Sequence, residues 1–148
     1  MARLIGIDYG TKRIGLAIGD RSTRIAMPWK IVQATGDPKT DAANVLKQII
    51  DSGEKIELFV VGLPKNMDDT EGPQADITRT FGDVLKNISG ADVYYQDERL
   101  SSFAAESLFK PTMQDRLRSQ RKNIKSPKNK KTLDAVAAAV ILQTFLEK

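Results

Sequence analysis

Along this 148-residue chain the spacing of apolar residues shifts between continuous, alternating and helical, and each shift marks an element. Leu4-Ile5-Gly6-Ile7 is a continuous apolar run, as in a strand covered on both faces. Ile14, Leu16 and Ile18 then alternate with Gly15, Ala17 and Gly19, which predicts a strand with one face kept small for close packing. A third strand is expected within Ile25 to Val32, at a sheet edge because Pro28 cannot donate to a ladder. Asp37-Pro38 reads as a helix cap followed by a first-turn proline, with Ala42, Val45, Leu46 and Ile49 as the buried stripe and Gly53 as the stop. Leu58-Phe59-Val60-Val61 is a second fully buried strand, ended by Gly62-Leu63-Pro64.

A second helix is expected to present Ile77, Phe81, Val84, Leu85 and Ile88 on one face, with Gly90 beyond its end. Val93-Tyr94-Tyr95 reads as a short strand running into Asp97-Glu98. Ser101 or Ser102 can cap a third helix through Leu108 and Phe109, and Leu133 to Leu146 is an Ala-rich final helix. Three strands in hairpin order followed by alternating helices and strands predict an α/β fold. Its mixed five-stranded sheet, three antiparallel strands and then parallel strand–helix–strand units, is flanked by helices. The whole chain, 1–148, is expected to form one domain, with no internal repeat.

Composition removes function classes. Hydrophobic residues make up 41% and charged residues 28%, the balance of a soluble globular protein. No apolar run reaches the roughly 18 residues of a membrane span, and the N-terminus lacks a signal-peptide layout, so a cytoplasmic location without membrane contact is expected. Cys and His are both absent, which excludes disulfides, Cys-based zinc sites, thiol nucleophiles and a Ser-His-Asp triad. Any catalysis must use carboxylates, Lys, Arg, Tyr, hydroxyls or a bound ion, and oxygen ligands favour hard cations such as Mg2+ or Mn2+.

Charge is concentrated in one stretch. Residues 1–109 hold 13 Lys and Arg against 16 Asp and Glu, whereas 110–131 hold 9 against 1. The basic residues there are Lys110, Arg116, Arg118, Arg121, Lys122, Lys125, Lys128, Lys130 and Lys131. Such a block is the electrostatic footprint of a polyanion site, and a solvated loop without a partner is the bland reading. With few apolar residues and two prolines, Pro111 and Pro127, the segment is expected to be mobile when free.

Three acids stand at telling places. Asp8 ends the first strand, with a tight turn at Gly10 and the cations Lys12 and Arg13 behind it; Glu98 lies just past the last strand; Asp134 opens the last helix. If the first and last strands are parallel, Asp8 and Glu98 share a sheet edge, where sites form in open α/β sheets. Ala135, Ala137, Ala138 and Ala139 would let the last helix come close and bring Asp134 in. Three convergent carboxylates repel one another unless cations neutralise them, so the cluster points to metal-assisted phosphodiester hydrolysis. Taken singly, Asp134 can be a helix-dipole partner and Glu98 a mate of Arg99.

The segment Asp8-Tyr9-Gly10-Thr11-Lys12-Arg13-Ile14-Gly15-Leu16-Ala17 resembles the opening motif of the YqgF family, RNase H-like proteins described as pre-16S rRNA nucleases or Holliday junction resolvases. Gly62-Leu63-Pro64 with Asn66-Met67-Asp68 and Gly72-Pro73 resembles its second motif, Asp97-Glu98-Arg99-Leu100-Ser101 its third, and Asp134-Ala135 through Gln143 its C-terminal helix. The resemblance implies an RNase H-like fold and divalent-metal cleavage of nucleic acid, precursor rRNA ahead of four-way DNA. By motif position it makes Asp8, Glu98 and Asp134 catalytic metal ligands, with Asp68 a weaker addition that also reads as a turn acid. Lys12, Arg13, Arg99 and the basic segment would contact nucleic acid, although each Arg can equally pair with a nearby carboxylate. The chain departs from the family pattern at Asp69, where Gly is usual, and at Lys130-Lys131-Thr132, where Lys-Gly-Lys is usual.

Two other classes fit parts of the sequence. Asp8-Tyr9-Gly10-Thr11 also looks like the first phosphate motif of actin-like ATPases and sugar kinases, whose second lobe 148 residues leave no room for. A non-catalytic RNA-binding module would need only the basic segment. The oligomeric state is left open.

Overall fold

A computed structural model describes residues 2–64, 70–97 and 130–148, the side chains of 130–132 excepted. Strands β1 (Arg3–Tyr9), β2 (Arg13–Asp20), β3 (Ile25–Gln33), β4 (Ile56–Leu63) and β5 (Asp92–Asp97) form one sheet in the order β3-β2-β1-β4-β5. β1 and β2, and β2 and β3, pair antiparallel; β1 with β4, and β4 with β5, pair parallel. The expected mixed five-stranded sheet is therefore present, with β1 and β5 running the same way. Helices α1 (Pro38–Asp51) and α2 (Pro73–Ser89) pack on each other on one side, and α3 (Lys130–Leu146) crosses β1, β2 and β3 on the other.

Local chemistry sets the boundaries. The Asp37 carboxylate accepts from the Thr40 amide at the start of α1, and Pro38 fills the first turn, where its missing N–H costs nothing. α2 ends on Gly90 at φ +75°, the left-handed conformation that glycine adopts without strain. Pro28 sits where the β2 register slips, the partner jumping from Lys30 to Pro28 and leaving Trp29 as the extra residue on the edge strand.

The two faces of the sheet are built differently. Ile5, Ile7, Ile14, Leu16, Phe59 and Val61 meet α1 and α2 through Val45, Ile49, Phe81 and Leu85. On the other face Leu4, Ala17 and Val60 meet Ala138, Ala139, Ile141 and Leu142.

Two expectations about helices are corrected. α2 buries Ala75, Thr78, Phe81, Gly82 and Leu85, while Ile77 and Ile88 are 40% and 45% exposed. Gly82 decides that rotation, because a side chain there would collide with the ring of Tyr95 on β5. The Tyr95 hydroxyl also anchors the helix, donating to the Arg79 carbonyl (3.0 Å) or to Asp83 (3.1 Å). α3 starts at Lys130 rather than Leu133, so Asp134 lies one turn into the helix and not at its opening. The third helix expected from Ser101 or Ser102 lies outside the described residues.

Candidate active site

The site grows out of a turn and a trough. Beyond Tyr9, the Gly10 amide donates to the Arg13 carbonyl (3.0 Å), closing the connection to β2. A Cβ on Gly10 would stand 2.6 Å from that carbonyl oxygen, so glycine is needed here for space. Across the hairpin, Asp8 is the register partner of Gly15. Alternation places Gly6 and Asp8 of β1, with Gly15, Ala17 and Gly19 of β2, on the α3 face.

Helix α3 lies directly on this trough of small residues. A Cβ on Gly6 would be 2.6 Å from the Ala138 carbonyl and 2.7 Å from the Leu142 Cβ. One on Gly15 would collide with the main-chain carbonyl of Asp134. The residue opposite Asp8 is thus covered by the backbone of Asp134, and two carboxylates distant in sequence share one end of one face. Arg13, the first residue of β2, donates from Nε to Asp134 Oδ2 at 2.7 Å. With side chains 25% and 29% exposed, this charge-assisted pair is half-sheltered and fixes the rotamer of Asp134.

Behind Asp8, Tyr9 is held from three directions. Its ring stacks on Phe81 at 4.3 Å between centroids, its carbonyl accepts from Gln74 Nε2 (3.3 Å), and its hydroxyl donates to Asp41 Oδ2 (2.7 Å). Asp41 is fully buried, and its other oxygen accepts from the Thr35 amide (2.7 Å) and hydroxyl (2.8 Å). Burial, and then the bond to the Asp41 carboxylate, push the Tyr9 phenol well above its ordinary value. The residue following Asp8 is therefore firmly held.

Of the residues expected from sequence, Arg13 and Asp134 pair directly, and Asp8 is the register partner of the glycine that the Asp134 backbone covers. Lys12 is exposed on the turn beside them, and its carbonyl accepts from the Ala34 amide (2.9 Å). Lys130 and Lys131 lie in the first turn of α3. Asp68, Glu98, Arg99, Arg116, Arg118, Arg121, Lys122, Lys125 and Lys128 lie outside the described residues. Among the described residues no three acidic side chains form a metal-binding group.

Two residues escaped the sequence reading. Asp41 is an acid in the first turn of α1, and nothing local in the sequence announces its bond to a tyrosine 32 positions earlier. Gln96 on β5 is 5% exposed, and its Oε1 has no hydrogen-bond partner among the described residues. A glutamine between Tyr95 and Asp97 on a short parallel strand was the available signal for it.

A mixed β3-β2-β1-β4-β5 sheet carrying a carboxylate at the end of β1, with a helical carboxylate laid over the neighbouring strand, defines an RNase H-like nuclease fold. Solved structures agree on the fold. Thermus thermophilus RuvC in complex with a Holliday junction substrate matches with a TM-score of 0.56 at 14% identity, covering 100% of this chain and 98% of that one. A second T. thermophilus RuvC structure matches at 0.53 and 16% identity, covering 98% and 96%. The chain belongs to the family described as "RuvX: Holliday junction resolvase", whose profile matches residues 2–148. It is also 36% identical over 146 residues to a Streptococcus pneumoniae protein (serotype 19F, strain G54) named "Putative pre-16S rRNA nuclease", covering 99% of this chain and 98% of the relative. These are nuclease names, and the fold is a nuclease fold.

Proposed function

We propose that the protein is a divalent-metal-dependent endonuclease of the cytoplasm that cleaves structured nucleic acid, processing the 5′ end of precursor 16S rRNA. One observation carries the reading: the Asp134 backbone rests on Gly15, the strand partner of Asp8, so two carboxylate-bearing residues stand at one end of one sheet face. The available donors are oxygens only, since the chain has neither His nor Cys, and this set suits a hard cation. Asp8 and Asp134, joined by Glu98, would hold it; Asp68 is the weaker fourth candidate. When bound, the cation supplies Lewis acidity toward the phosphate oxygens and offsets the carboxylate charge.

The chain's own residues do the rest. Arg13 keeps Asp134 in one rotamer, and the guanidinium fork has four N–H donors besides the Nε–H given to Asp134, suited to a phosphate oxygen. Lys12 adds positive charge at the same turn. Arg99 and the basic residues Arg116, Arg118, Arg121, Lys122, Lys125, Lys128, Lys130 and Lys131 would supply phosphate contacts that hold a folded RNA without reading its sequence. The segment 110–131 is the part of this single nuclease domain assigned to that task.

The test is cleavage by the wild-type protein and Asp8→Asn, with Mg2+ or Mn2+, on two substrates. One is an RNA carrying the 5′ precursor flank of small-subunit rRNA and the other a four-way DNA junction. Metal-dependent cutting of the RNA, abolished in Asp8→Asn, is expected. Paired nicks in the junction alone would transfer the assignment to the resolvase reading that the family description favours. Binding of RNA without cleavage of either substrate would leave only a binding module.

A further inference from the structure

The first turn of α2 reaches across to the strand that carries Asp8, and the reason lies in how β1 loses its partners. β1 and β2 pair up to Tyr9–Ile14, and the bond from the Gly10 amide to the Arg13 carbonyl continues that register by one more pair. Even-numbered residues of β1 therefore turn their N–H and C=O toward β2, and odd-numbered residues turn theirs toward β4. On the β4 side the pairing ends at Ile7–Val61. The next parallel rung would carry the Tyr9 carbonyl to the amide of residue 64, which is Pro64 and has none.

Gln74 supplies the donor instead. It is the second residue of α2, half-buried, and its Nε2 donates to the Tyr9 carbonyl at 3.3 Å. The peptide joining Tyr9 to Gly10 is thus held at both edges, its carbonyl by Gln74 and its N–H by the Arg13 carbonyl. Asp8 lies one residue before this peptide. Arg13, whose carbonyl grips it, holds Asp134 through its side chain. Without Gln74 the sheet offers the Tyr9 carbonyl no donor, and the peptide is free to rotate, carrying the strand end and the turn with it.

We propose that Gln74 is a positioning residue of the candidate site. It replaces the rung that Pro64 cannot give, and so fixes the strand end bearing Asp8 and the turn bearing Arg13. The inference rests on the nuclease reading above and adds to it a residue that never touches the substrate.

Two variants are compared with wild type. Gln74→Met keeps the bulk and loses the donor. Gln74→Glu keeps the shape and turns the donor into an acceptor, while its charge suits the first turn of a helix, so α2 itself is not weakened. Cleavage of the precursor RNA is measured with Mg2+ or Mn2+. Amide hydrogen exchange and thermal unfolding are followed by residue-resolved NMR and calorimetry without metal or substrate. Both variants should lose roughly ten-fold or more in kcat with KM within about three-fold of wild type. The Gly10 amide should exchange roughly ten-fold faster in both, because its bond to the Arg13 carbonyl opens more often. Gln74→Glu should do this at an unchanged Tm.

A fully active Gln74→Glu overturns the inference alone. So does Gly10 exchange that stays at the wild-type rate, or that quickens only in step with the amides of α2 and a lowered Tm, since that is a role in helix stability. A wild type inert on every substrate overturns the nuclease reading; the Gly10 exchange rates then decide by themselves whether the Gln74 rung exists.

Discussion

The two faces of the sheet solve different problems with the same strands. Toward α1 and α2 the contacts are made by long side chains, Ile5, Ile7, Leu16 and Phe59 against Val45, Ile49, Phe81 and Leu85. Toward α3 the strands withdraw their side chains, and Gly6, Gly15 and Gly19 let the helix rest on the backbone itself. Side chains have rotamers and adjust, whereas main-chain atoms in register do not. The first face is a store of stability that tolerates some imprecision. The second is a jig that sets where Asp134 stands relative to Asp8. The acids proposed for catalysis, Asp8 and Asp134, are on the jig.

The largest stability effect should come from the first face. Phe81→Ala removes a fully buried ring and the stack on Tyr9, and should cost about 3–5 kcal/mol. Urea denaturation checks this by a lowered midpoint. Because the seat of α3 is untouched and Tyr9 keeps its bonds to Gln74 and Asp41, cleavage per folded molecule at low temperature should drop less than the folded population does on warming.

Gly15→Ala reverses the pattern. The added methyl meets the Asp134 carbonyl, and relief requires α3 to lift from the sheet. Overpacking of this kind costs about 1–3 kcal/mol, less than Phe81→Ala. Yet cleavage should fall by roughly a hundred-fold or more, since a shift near 1 Å at a catalytic group is that costly. Activity measured well below the melting temperature separates the two variants. If Gly15→Ala is fully active, the two faces do not divide the labour.

How much of this the sequence displays follows the same division. The small-residue face was legible from Gly15, Ala17 and Gly19 alternating with Ile14, Leu16 and Ile18, because strand periodicity is local and unambiguous. The edge position of β3 was legible from Pro28, and the common direction of β1 and β5 from the crossover pattern. The close seating of α3 on the small-residue face followed from those features and the alanines of α3. The facing of α2 was not legible, since two overlapping stripes compete along it and the choice falls to Gly82 against Tyr95, a contact between elements. Asp41 and Gln96 were missed for the same reason: a polar side chain's burial depends on what the fold lays over it.

A smaller effect tests the seam between the faces, where Tyr9 belongs to the large-residue cluster and Asp8 to the other side. Tyr9→Phe removes the donor to Asp41 Oδ2 and should cost about 1–3 kcal/mol, because the carboxylate stays buried. It should also change the alkaline limb of stability. A phenol held above its unfolded value of about 10 contributes stability that is fully present below that pH and lost as pH rises through the folded value. Tyr95, raised by burial and then by Asp83, contributes in the same direction. Tyr9→Phe should therefore flatten the loss of Tm above about pH 10 without abolishing it. An unchanged alkaline profile would show that the Tyr9–Asp41 bond does not persist in solution.

The smallest effect lies farthest from either face and shows what surface chemistry adds to a fold held mainly by packing. At the start of α1 the Thr40 hydroxyl and amide donate to Asp37 Oδ2 at 2.6 and 3.3 Å, and these bonds hold the carboxyl below the usual range. A depressed carboxyl contributes stability that is present above its unfolded value of about 3.9 and lost as pH falls through the folded value. Asp37→Ala should therefore lower Tm slightly and by a constant amount from neutral pH down to about pH 5. The gap should close on further acidification, as the wild-type cap becomes protonated. Asp20, lowered by its bonds from Ser22, titrates in the same window but is common to both proteins, so it cancels in the difference. Cleavage at neutral pH should be untouched, because α1 packs on the face away from Asp134. A cleavage defect in Asp37→Ala would mean that α1 reaches Asp8 through Asp41 and Tyr9, and that the large-residue face also sets the geometry of the site.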